Sequence, residues 1–332
     1  MLGKISPVVL KMGGFKFVSK AHFNIKQKEL GGQLAQVKSL KLPILIFAIC
    51  ILFSFIAQMI TFEVGLDAWG GLGITAIFYV LLLVIAIVFV KIEEPIRNIG
   101  FKAAGRGKVV PLAVVVGMFA QIFWLLLIAA ASGALSFSFG ALGVEVFLAR
   151  LLLMAFFVGF VEELIFRGYI QRRLTAAYGF GAALLITALL FMALHIQTYT
   201  YFRLMDPAVQ AALQITSAQA VQSVLYSVTQ TVIGISALGV FTGYLYFKSG
   251  QSVFTSMTLH ITFNTFGLFA LSYSNLGTAA GMVNLGVFAI LWFIWAAVVG
   301  LLVWVITKTA PKVRRVLPVR PRFISSKSSK KD

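Results

Sequence analysis

Acidic residues are scarce in this sequence. Ten Asp and Glu stand against 28 Lys and Arg over 332 residues, and charged residues of both signs make up only 11%. So little charge, with 60% hydrophobic residues and a mean hydropathy of +0.97, excludes an ordinary soluble domain. A single cysteine, Cys50, lies in an apolar run. It excludes an intrachain disulfide and implies no redox or thiolate chemistry. Histidine is limited to His22, His195 and His260. No internal repeat and no soluble domain stands out.

The uncharged runs are long enough for the roughly 20 residues of a membrane helix. Lys41 to Glu63 encloses the first, Asp67 to Lys91 the second and Lys108 to Glu145 the third. A fourth helix is expected from near Gly143 to about Leu174, and a fifth from 181 to 198 after a turn at Tyr178-Gly179. The mixed stretch 199–222 reads as an external loop with an amphipathic helical piece. A sixth span at 223–247, a turn at Lys248 to Ser252, a seventh to about 271 and an eighth at 283–307 complete an all-α, polytopic bundle. The domains are then a basic arm at 1–42, a membrane domain at 43–307 and a basic tail at 308–332. The first apolar run begins only at residue 43 and lacks a small-x-small cleavage site, so an uncleaved span is expected rather than a signal peptide.

A net charge of +18 raises the question of nucleic acid, and the location of the charge answers it. Eight lysines precede residue 42 and nine basic residues follow from Lys308, with no aromatic-interleaved recognition pattern in either arm. Of the 28 basic residues, only Arg150 and Arg203 fall on the far side of an eight-span bundle. The positive-inside rule then puts both termini in the cytosol, with the arms against anionic lipid headgroups.

One stretch breaks the apolar pattern: Gly159 to Arg173, GFVEELIFRGYIQRR, carries two adjacent carboxylates. Ionisable groups inside a span are functional candidates by default. On a helix, Glu163 and Arg167 share a face at i and i+4, while Glu162 points about 100° away. Pairing leaves one carboxylate neutralised and the other available; the alternative is that both glutamates share Arg167 as a structural clasp. Residues 162 and 195 are equidistant from the Tyr178-Gly179 turn, so an antiparallel hairpin sets Glu162 and His195 at one depth. His260 and Asn264 stand one helical turn apart, roughly 15 to 21 Å past the Gly250 turn against about 25 Å for Glu162.

Two histidines, a carboxylate and a carboxamide suit hydrolysis of a carbonyl compound. A buried carboxylate or a histidine takes a proton from water, and an imidazole or amide stabilises the oxyanion. No serine or cysteine stands at comparable spacing, so direct attack by water is the economical reading. Zinc held by Glu162, His195 and His260 is the competing use of the same atoms. The spacing is not H-E-x-x-H, and nothing in it compels a metal.

E-E-L-I-F-R-G at 162–168, F-x-x-x-H from Phe191 to His195, and H-x-x-x-N from His260 to Asn264 resemble, in order and spacing, the three motifs of the CPBP family. These are the CAAX-protease and bacteriocin-processing intramembrane proteases, also called Abi. The stretch G-Y-L-Y-F-K-S-G-Q-S is similar to the turn between the family's sixth and seventh helices, and the resemblance covers about 95–272. It implies an intramembrane endopeptidase in which Glu162 activates water with His195, His260 and Asn264 stabilise the oxyanion, and Glu163 and Arg167 support the site. No cofactor is expected. The implied substrate is a membrane-associated peptide, either prenylated, as for the type II CAAX prenyl endopeptidase, or a bacteriocin or propeptide. The implied location is a bacterial cell membrane. A non-catalytic scaffold or immunity protein of the same fold is the alternative; a proton-coupled carrier fits less well without an internal repeat.

Overall fold

A chain crossing hydrocarbon must satisfy its backbone N–H and C=O groups internally, which long apolar runs do by forming helices. The computed structural model describes residues 40–65, 68–93, 100, 106–138 and 143–309. The basic arm at 1–42 and the tail at 308–332 lie almost wholly outside these residues, as does His22. The described elements are α1 (Lys41–Glu63), α2 (Ala68–Glu93), α3 (Arg106–Ser132), α4 (Val144–Tyr178), α5 (Phe180–Leu194), α6 (Thr198–Leu204), α7 (Pro207–Ala212), α8 (Ser217–Lys248), α9 (Val253–Tyr273), α10 (Leu276–Gly281) and α11 (Leu285–Thr309). Among the described residues the only extended pairing is an isolated bridge between Phe137 and Ser274.

Among the described residues six helices, α1, α2, α3, α4, α8 and α11, are long and apolar enough to cross a membrane, and there are seven if α5 and α6, bent by 41°, count as one broken span rather than a re-entrant loop. Large apolar side chains such as Ile77, Leu126, Leu152, Ile290 and Phe293 point outward and are exposed. Against the expected eight spans, the helix left over is α9. It has 21 residues, but Thr255, Ser256, His260 and Thr262 are buried along it. Polar groups of that kind are tolerated at membrane depth when protein surrounds them.

Protein does surround α9. It packs on α3, on the middle of α4 and on α8. A Cβ at Gly117 of α3 would lie 2.8 Å from the Cβ of Thr262, and one at Gly159 of α4 would lie 3.3 Å from Ile261 Cγ1. Small residues let the backbones close up, as membrane helix packing favours. On the other side α11 is tied to α3: Trp295 Nε1 donates to the Ala120 carbonyl at 2.7 Å, and the Trp124 and Trp292 rings stack at 3.8 Å.

Two boundaries differ from expectation for local reasons. The sixth long helix, α8, starts at Ser217 rather than near 223. Thr216 and Gln219 form a reciprocal capping box there, satisfying the otherwise unpaired first-turn groups. The fifth helix stops at Leu194 rather than 198. His195 Nδ1 sits 2.8 Å from the Phe191 carbonyl, the group its own backbone N–H would take in a continuing α-helix, and that N–H turns instead to Met192 at 2.9 Å. The stretch 199–222 thus holds α6, α7 and the first turns of α8. Asp206 caps α7, accepting from Ala208 N at 2.8 Å with Pro207 following it.

The α4–α8 contact positions the site. Gly239 and Gly243, a G-x-x-x-G pair on α8, leave their carbonyls accessible, and Gln171 Nε2 donates to Gly243 O at 3.0 Å. A Cβ at Gly243 would stand 2.7 Å from both Gln171 Oε1 and Leu184 Cδ1. Gly243→Val is expected to destabilise the fold by about 1–3 kcal/mol through overpacking. Thermal unfolding in detergent reads this as a lowered midpoint, whereas Gly181→Ala, whose Cβ meets nothing within 4 Å, leaves the midpoint in place.

Candidate active site

The glutamate pair lies in the middle of α4, where two wider π-helical stretches, Leu151–Val158 and Leu164–Gln171, flank a short α-helical segment, Gly159–Glu163. Such irregular turns are common at functional sites. All eight residues from Leu164 to Gln171 are buried, so this part of α4 is enclosed on every side. Glu162 is 3% exposed and Glu163 and Arg167 are fully buried.

Glu163 is answered from two directions. Arg167 Nε stands 3.4 Å from Glu163 Oε2, an ion pair one helical turn away, and His260 Nδ1 reaches Glu163 Oε1 at 3.0 Å. Arg167 is held in turn by α8: its Nη2 donates to the Gly239 carbonyl at 3.1 Å and to the Thr242 hydroxyl. The guanidinium also lies 4.6 Å from the centre of the Phe191 ring, a cation–π contact strengthened by the full burial of Arg167. Phe191 packs against both imidazoles, 4.6 Å from His195 and 5.7 Å from His260 between ring centres.

Glu162 faces the other way. Its Oε1 accepts from the Tyr79 hydroxyl of α2 at 2.6 Å. Its Oε2 has no hydrogen-bond partner and stands 3.8 Å from His195 Nε2 and 3.7 Å from His260 Nε2. The tautomers follow from the partners. A carbonyl only accepts, so His195 Nδ1 carries the hydrogen and donates to Phe191 O; His260 Nδ1–H likewise donates to the Glu163 carboxylate. In the neutral rings both Nε2 atoms are then acceptors turned toward a carboxylate oxygen. Three acceptors facing one another repel unless a proton, or a molecule with hydrogens to donate, lies among them. Water satisfies that need and would be polarised by doing so.

The structure therefore brings together Glu162, Glu163, Arg167, Phe191, His195 and His260. Asn264 stands one turn beyond His260 on α9 and is partly exposed. Among the described residues no group of three or more His, Cys, Asp or Glu is drawn together in a form that could hold a metal ion.

Sequence reasoning did not find Tyr79. The available signal was a lone tyrosine in an apolar run, since a buried phenol needs a partner for its hydroxyl. It also missed Thr242, Gly239 and Gln171, which act through backbone and hydroxyl contacts that no spacing rule advertises.

Residues 144–266 match the family described as Type II CAAX prenyl endopeptidase Rce1-like. The match runs from the start of α4 to just past Asn264 and is narrower than the expected 95–272. No curated protein and no solved structure matches the chain. Tyr79 lies outside the matched segment, and its contribution is directly testable. Tyr79→Phe removes the donor to a buried carboxylate, a bond of about 1.5–3 kcal/mol, so turnover should fall by roughly 10- to 100-fold. The thermal midpoint should fall as well, since the same bond is lost to the fold, so turnover is read where the variant stays folded, and full turnover there would rule out a role for the hydroxyl.

Proposed function

We propose, for a chain whose residues 144–266 match the Type II CAAX prenyl endopeptidase Rce1-like family, that it is an intramembrane endopeptidase in which Glu162 and His195 activate a water that hydrolyses a peptide bond of a membrane-associated substrate. The family match over residues 144–266 and the long apolar helices support a membrane endopeptidase; the chemistry assigned to individual residues is our own reading. The observation that carries it is the unpartnered Glu162 Oε2, set 3.8 Å and 3.7 Å from two ring nitrogens that each keep their hydrogen on the far side.

In this reading Tyr79 occupies one oxygen of Glu162 and leaves the other to accept the proton of water. Water held between Glu162 Oε2 and His195 Nε2 attacks the substrate carbonyl carbon, and its proton passes to one of these two groups. The C–N bond then breaks as that proton is delivered to the departing amine, giving a free carboxylate and a new amino terminus. Asn264 donates to the oxyanion through its amide; His260, whose Nδ1–H is held by Glu163, contributes after the water's proton has passed by way of Glu162 to its Nε2, making the ring cationic until that proton is delivered to the amine. Glu163 and Arg167 hold His260 and the helix in register. The substrate is a membrane-associated peptide, of the prenylated CAAX type that the family description names or a bacteriocin-like precursor.

Zinc bound by Glu162, His195 and His260 remains the competing use of these atoms. The two Nδ1–H donations resemble those of metal-bound histidines, and both Nε2 atoms face Glu162 Oε2 at 3.8 Å and 3.7 Å, so these three side chains are the ones that would hold the ion.

Purified wild type and Glu162→Gln, reconstituted in liposomes, should be compared on lipidated and unlipidated peptides. Loss of the base should lower cleavage by about 10²- to 10⁴-fold, and equal cleavage by both proteins would remove Glu162 from the mechanism. Chelator treatment is expected to leave wild-type turnover unchanged. Activity lost to chelation and restored by zinc would replace the metal-free chemistry with the metal-dependent one.

A further inference from the structure

Of Glu162, His195 and His260, His195 is the one that is open. The His195 side chain is 28% exposed, against 4% for Glu162 and 3% for His260. Its sequence neighbours Leu194 and Ile196 line a cleft whose opposite wall is α1. From α1 come Ile51, Ser54, Phe55 and Gln58, at i, i+3, i+4 and i+7 and hence on one helical face. This wall lies outside residues 144–266, so the family match does not account for it.

Two of those four residues are polar in an otherwise apolar span. Gln58 Nε2 donates to Ser54 Oγ at 3.2 Å, and Ser54 Oγ donates to the Leu194 carbonyl at 3.5 Å. Gln58 Oε1 is enclosed and has no hydrogen-bond partner. Turning the amide over does not cure this, because Ser54 meets only one of its two ends and the other is still left bare. An unpaired amide atom at membrane depth is destabilising. An extended peptide carries both an N–H and a C=O at each residue and can satisfy either end. Phe55 and Leu194 beside Gln58 offer an apolar seat for a side chain. The far wall is held in place: Tyr199 packs edge-on against Phe55 at 5.4 Å and donates to Glu63, and Arg203 Nε pairs with Glu63 at 2.8 Å.

We propose that this cleft is the substrate-backbone subsite. Gln58 hydrogen-bonds the peptide main chain beside the scissile bond, and a neighbouring substrate side chain seats between Phe55 and Leu194. The carbonyl carbon is thereby presented at the exposed edge of His195. The proposal rests on the hydrolytic reading of Glu162 and His195, and it adds α1 as the wall that reads the substrate.

The test uses the full chain in lipid nanodiscs. The Glu162→Gln variant is mixed with lipidated and unlipidated peptides, each carrying a benzophenone side chain, then irradiated and mapped by mass spectrometry. Adducts within 51–58 and 194–198 are expected, weakened about tenfold by a further Gln58→Leu change, the effect of one lost hydrogen bond. Adducts only elsewhere, or none, overturn the proposal. With native Glu162, Gln58→Leu should raise KM about tenfold while kcat stays within about twofold, and Gln58→Asn should fall between. An unchanged KM, or a fall in kcat alone, overturns it as well. Cross-linking at 51–58 by a wild type without turnover keeps the subsite and removes the hydrolytic reading.

Discussion

The burial of two adjacent carboxylates in α4 is the constraint on which the rest of the structure depends. Moving an ionised carboxylate out of water is expensive, and a buried ion pair recovers that penalty only when geometry and additional hydrogen bonds are good. Glu163 is the better satisfied of the two, lying between Arg167 and His260. Arg167 would itself be costly in this position without the Gly239 carbonyl, the Thr242 hydroxyl and the face of Phe191. Three helices, α4, α8 and α9, are thus committed to neutralising one charge. Glu162 is left with a hydroxyl on one oxygen and two ring nitrogens near the other, an incomplete set that leaves room for chemistry.

This division explains why α9 differs from its neighbours. A helix that must bring His260 to Glu163 cannot be apolar on that face, and its further buried Thr255, Ser256 and Thr262 would be unfavourable against lipid. Packing on α3, α4 and α8 shields them. Gly117 and Gly159 allow that packing to be close enough for a side chain as short as histidine to reach a carboxylate on the next helix. The tryptophan contacts between α3 and α11 stiffen the far side of α3, the helix against which α9 leans.

Much of this was legible in the sequence, for identifiable reasons. Charge-free runs mark membrane helices because hydrocarbon admits few charges, and the Glu163–Arg167 pair follows from helical periodicity alone. The meeting of Glu162 with His195 follows from their equal distance from the Gly179 turn, since antiparallel helices conserve depth. Tyr79 was not legible in the same way. Nothing local relates a phenol on α2 to a carboxylate on α4, and which face of α2 turns inward depends on packing. The end of α5 was hidden too, because His195 shortens its own helix by taking the Phe191 carbonyl with its side chain. That contact also selects the ring's tautomer, so the error in the helix boundary and the chemistry of the site have one cause.

The same logic bears on what can approach the site. Tyr79 bonds Glu162, Phe191 packs on His260, and the burial of both groups strengthens the electrostatic contacts between them. An entirely closed pocket could not admit a peptide, so the break in α5 at His195 has a second effect. By ending the helix there, the chain turns toward α6, leaves one imidazole edge partly exposed, and places Leu194 and Ile196 opposite α1. The imidazole at the end of α5 therefore turns its Nε2 toward Glu162 while its side chain stays 28% exposed.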